Sequence, residues 1–73
     1  SGEGQEVAAV VNGNVWKILA KVGDKIEKDQ PIMILEAMKM EIDINAPISG
    51  TITSISVNQN DAVDEGDLLA TIG

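Results

Sequence analysis

Few side chains in this sequence could do chemistry. Histidine, cysteine and tyrosine are absent, and the ionisable side chains are five lysines and twelve acids. Serine–histidine and cysteine–histidine nucleophile pairs are therefore impossible, as are zinc sites built on those ligands. Asp61, Asp64, Glu65 and Asp67 lie close together, but their spacing does not match a calcium loop, and they read as a solvated turn cluster. No catalytic residue and no metal site are expected. What remains is Lys39, in Glu36-Ala37-Met38-Lys39-Met40-Glu41 at the middle of the chain. A primary amine forms a stable amide with an activated acyl group, and its four methylenes make a flexible arm. An exposed lysine amine is almost wholly protonated at neutral pH. The enzyme that modifies it must therefore supply the activated acyl donor and remove the proton. Most surface lysines are merely solvated charges. Two features set this one apart: methionines on both sides, and its place in the chain.

That place is defined by an internal repeat. Shifted by 37 positions, the chain overlays itself: Ala9 falls on Ala46, Gly13 on Gly50 and Asp24 on Asp61. Val15 falls on Ile52, Ile18 on Ile55, Ile26 on Val63, Ile32 on Leu69 and Leu35 on Ile72. Two half-domains related by a pseudo-twofold are expected, with Ala37 to Met40 as the joint between them.

The elements around the joint read as short strands. Glu6 to Val11 is apolar and β-prone, and Asn12-Gly13 reads as a hairpin turn after it. Asn14 to Val22 follows as a strand, then a Gly23-Asp24 turn. Lys25 to Gln30 reads as an exposed strand or loop, and Ile32 to Leu35 as a buried strand. Local propensity over Leu35 to Glu41 favours a helix, but the repeat demands a tight reversal there. A tight hairpin turn needs positive φ at its centre, which is uncommon for Met or Lys. Beyond the joint, Glu41 to Ala46 and Thr51 to Val57 alternate, Ala62-Val63 is brief, and Leu68 to Ile72 is the last strand. Trp16 reads as partly buried filler and Ile55 as core. The expected fold is all-β: a flattened barrel or sandwich of two four-stranded antiparallel sheets with an internal pseudo-twofold. Residues 1–5 read as a flexible lead-in or linker, and 6–73 as one domain. Ser1-Gly2 reads as a cloning scar, which would make the chain a piece of a longer protein, and the stop at Ile72-Gly73, where the repeat ends, fits a C-terminal domain.

The net charge of −7 argues against nucleic acid and anionic membranes as partners. No apolar run reaches spanning length. A chain this short buries only about 60% of its unfolded surface, so its core is thin.

The central motif, with Ala46-Pro47 and Gly50, resembles the biotinyl (biotin carboxyl carrier) domain of biotin-dependent carboxylases, decarboxylases and transcarboxylases. So do Gly13 to Lys17, Val22-Gly23-Asp24, Asp61-Ala62-Val63 and Glu65-Gly66-Asp67. The resemblance covers roughly Val7 to Gly73, and its Met-Lys-Met core is highly specific. It implies biotin attached to Lys39 by a biotin protein ligase, with Ala37, Met38 and Met40 as the flanking recognition motif. Glu36 and Glu41 stand evenly between ligase contacts and solvated flanks. It implies a carrier, itself non-catalytic, that shuttles carboxybiotin from a biotin carboxylase to a carboxyltransferase or decarboxylase. A monomeric domain in the cytoplasm, or in the mitochondrial matrix of a eukaryote, is expected. The sequence departs from the family in lacking prolines in Ala9 to Gly13, and in placing Asp29 where glycine is common. No thumb-like insertion is present. Two alternatives stand beside this reading: a lipoyl-type carrier with the same displayed lysine, and an unmodified acidic β-sandwich adaptor.

Overall fold

The computed structural model describes residues 4–73. It contains eight strands: β1 (Gln5–Ala8), β2 (Gly13–Ile18), β3 (Lys25–Ile26), β4 (Pro31–Ala37), β5 (Met40–Asn45), β6 (Gly50–Ile55), β7 (Ala62–Val63) and β8 (Leu68–Ile72). They form two four-stranded antiparallel sheets, ordered β1-β8-β6-β3 and β5-β4-β2-β7. The molecule measures 31 × 21 × 17 Å, so the expected flattening is present.

The repeat governs this topology. Adding 37 to each number carries β2 onto β6 and β3 onto β7, and places β1 on β5 and β4 on β8. The same shift converts one sheet order into the other. Each sheet therefore takes two strands from each half of the chain.

Alternation supplies the core, because successive strand residues face opposite sides. Val15, Ile32, Leu35, Ile52, Leu69 and Ile72 are buried between the sheets. Thr71 is the buried polar residue among those described, and its Oγ1 lies 2.6 Å from both the Thr53 and Ser54 hydroxyl oxygens. That pairing removes the cost of burying an unpartnered hydroxyl.

Four turns are copies of one design. In 21–24, 27–30, 58–61 and 64–67, the fourth residue's amide donates to the first residue's carbonyl. Its side-chain oxygen accepts the first residue's amide in return. The third residue of each is left-handed: Gly23, Asp29, Asn60 and Gly66, with φ of 94°, 73°, 75° and 91°. Asp61 and Asp67 are thus structural acceptors within their turns, and Asp29 carries the backbone strain anticipated from its type.

Several expectations need correcting. Asn12-Gly13 is not a hairpin turn: β1 pairs with β8 and β2 with β4 and β7, so Ala9–Asn12 is a crossover between sheets. Gly13 serves close approach instead, since a Cβ there would collide with the Glu36 carbonyl oxygen. The second strand ends at Ile18, short of Val22. Ile26 is buried rather than exposed, matching its repeat mate Val63. Ile55 is only partly buried against the core. Trp16 follows buried Val15 and so faces outward, 37% exposed, with the Lys17 ammonium 4.7 Å from its ring centroid. Of the lead-in expected over 1–5, residues 1–3 lie outside the described residues, and Gln5 already belongs to β1.

Candidate functional site: the β4–β5 hairpin

β4 and β5 form a ladder ending in the pairs Leu35–Ile42, Glu36–Glu41 and Ala37–Met40. Two residues, Met38 and Lys39, close the loop. Helix propensity loses here because β4 pairs with β5 from Pro31 to Ala37 and with β2 from Met33 to Glu36. The loop needs positive φ at both positions, and Met38 and Lys39 adopt 51° and 64°. This is the primed turn whose twist matches a hairpin. It is usually made by Asn-Gly, so its side chains sit where short or absent ones are preferred.

Display follows from that geometry. Lys39 is exposed, Met38 is 95% exposed and Met40 65%. Two large apolar side chains exposed on one tip offer an apolar contact surface, and methionine adapts to many shapes. Ala37 is half-buried on the inward face, while Glu36 and Glu41 are exposed on the outward face. All six residues singled out in the sequence are thus gathered on one hairpin. The amine is open to solvent on a short, braced loop, which suits amide formation by an external enzyme.

Sequence reasoning missed the hairpin's surroundings. A groove of about 460 Å³ lies beside it, with an apolar lining of Val10, Val11, Ala37, Ile42, Met38 and Met40. Its polar wall is Asn12 and Glu65. Asn12 Oδ1 accepts the Glu65 amide at 2.7 Å, and the backbones are tied by Gly66 N–H to Ala9 O at 2.8 Å and Ala9 N–H to Asp67 O at 2.9 Å. The repeat held a faint signal of this wall. The mates of Asn12 and Glu65 are Ser49 and Lys28, and the Ser49 hydroxyl accepts the Lys28 amide at 2.8 Å.

Two interleaved antiparallel sheets with a displayed lysine at the joint define a small carrier domain of the biotinyl and lipoyl type. The family model described as "Biotin-requiring enzyme" matches residues 4–72, and the chain belongs to this biotin/lipoyl attachment family. It is a biotin carboxyl carrier domain, non-catalytic, with covalent biotin as its cofactor. It is 48% identical to a biotin/lipoyl attachment protein of Bacillus subtilis, over 86% of each chain. It is 47% identical to a biotin carboxyl carrier protein of Streptococcus mutans, over 88% of this chain and 49% of that one. The urea carboxylase of Kluyveromyces lactis superposes with a TM-score of 0.92 at 34% identity, over all of this chain and 6% of that one. The chain thus spans about half of the second relative and a small fraction of the third.

Proposed function

We propose that Lys39 is the residue that carries biotin, and that the domain moves a carboxyl group between two partner sites. The observation that carries this is the placement of Lys39 in a left-handed, solvent-exposed two-residue tip. A biotin protein ligase attaches the cofactor, reading Met38 and Met40 as an adaptable apolar surface around the amine. Attached biotin supplies a ureido nitrogen able to accept and release a carboxyl group. The chain's own residues hold and present it. The hairpin fixes the root of the arm, the lysine methylenes give it reach, and tethering raises its local concentration at each site. The partners are a biotin carboxylase and a carboxyltransferase or decarboxylase, in the same chain or a separate one.

The test is an intact-mass spectrum after incubation with biotin, ATP and a biotin protein ligase, beside Lys39→Arg. One biotinyl group gained by the wild type and none by the variant is the expected result. Both chains should melt at the same temperature, since the residue is exposed. Gain by the variant would move the site to another lysine. A lipoyl gain with lipoate ligase, and no biotin gain, would overturn biotin as the group that Lys39 accepts. No gain with either would overturn Lys39 as the attachment site.

A further inference from the structure

We propose that the groove beside the hairpin is a resting site for the uncharged ring system carried on Lys39, with Glu65 accepting a hydrogen bond from a ureido N–H. This rests on the attachment reading above. Biotin's bicycle has two faces of different chemistry: an apolar thioether ring and a ureido edge that bears two N–H donors. The groove has the same division. Val10, Val11, Ala37 and Ile42 give the groove an apolar lining, and Glu65, which also lines it, carries a carboxylate able to accept.

Three observations support the fit. The tether is adjacent, because Met38 and Met40, the two neighbours of Lys39, both line the groove. The polar wall is braced by the Asn12–Glu65 hydrogen bond and two backbone bonds, so little ordering is needed on occupation. The repeat provides an internal control: at the equivalent place in the other half, Lys28 replaces Glu65. The fold therefore does not require an acid there. Affinity need not be high. A short flexible tether gives an effective concentration of about 1 mM, so a site with a dissociation constant near that value is occupied about half the time. A ring that gained negative charge would be repelled by Glu65 and leave the groove.

The experiment is an amide and methyl NMR comparison of the biotinylated and unmodified protein, with modification first verified by mass. Three chains are compared: wild type, Val10→Asp and Glu65→Lys. Val10 is 59% exposed and Glu65 lies in a surface turn, so both variants should fold. In the wild type, biotinylation should shift amides of Val10 to Asn12 and Glu65 as well as the hairpin, and ring protons should show Overhauser contacts to Val10 and Val11 methyls. Each variant should lose the distant shifts and keep those of the hairpin. Shifts confined to residues 37–41 in modified wild type would overturn the proposal while leaving the attachment reading intact. Distant shifts that survive Glu65→Lys would overturn the role of Glu65. Absence of the mass gain would remove both readings together.

Discussion

Glu36 and Glu41 are direct cross-strand partners, one step below the Met38-Lys39 tip, with both carboxylates on the outward face. Like charges placed opposite one another destabilise a ladder, and opposite charges stabilise it by up to about 1 kcal/mol. Glu41→Lys is therefore expected to raise stability by about 0.5–1 kcal/mol at low salt, with the gain shrinking as salt is added. Urea melts at two ionic strengths measure this. The same change should slow biotinylation if the pair faces the ligase, which a time course on the variant would read directly.

The tip itself stores strain. Met38 and Lys39 hold positive φ without being glycine or asparagine. Replacing them together, Met38→Asn with Lys39→Gly, supplies the residues this turn favours. Stability should rise by about 1–2 kcal/mol, while biotin incorporation is lost. Thermal melts beside the mass assay would show stability and function pulling in opposite directions, as they do at sites where strain serves display.

Asp29 offers the same test without the functional cost. Its φ of 73° matches the 91° of Gly66, its repeat mate. Asp29→Gly should relieve about 1–2 kcal/mol of left-handed strain and lose about 0.5–1 kcal/mol to added freedom in the unfolded chain. A net gain of about 0.5 kcal/mol is expected. Asn60→Gly should do less, because asparagine tolerates this conformation better. Chemical denaturation of the two variants side by side separates them.

Asp24 gives the acid response a specific origin. Its carboxylate accepts the Lys21 backbone N–H at 3.0 Å and pairs with the Lys21 ammonium at 3.3 Å. The backbone hydrogen bond first, and the lysine contacts after it, hold its carboxyl below the ordinary aspartate value against the opposing effect of desolvation. A carboxyl depressed in the folded state stabilises the fold above its unfolded value of about 3.9, and that contribution fades as pH falls through the folded value. Asp24→Asn should thus be less stable than wild type at neutral pH and approach it in acid below about pH 4. Melting temperatures across that range check the sign.

Much of this was legible in the residues because the chain states its pattern twice. The repeat mates named in the sequence occupy equivalent strands and turns, and the reversal at Met38-Lys39 followed from the repeat although local propensity argued for a helix. Asn12-Gly13 misled because the glycine answers to the Glu36 carbonyl oxygen from another strand, a contact no local pattern records. The groove was invisible for a related reason. Val10, Ile42 and Glu65 are distant in sequence and meet only after the crossovers fold back.

The interleaving of the sheets has a consequence for how the domain holds together. Neither half owns a sheet, so a break between Met38 and Lys39 would release two fragments with unpaired strand edges. Mixed, they should reassemble like two hands with fingers laced, each useless alone. Lys39 sits on the clasp that makes two such pieces one molecule.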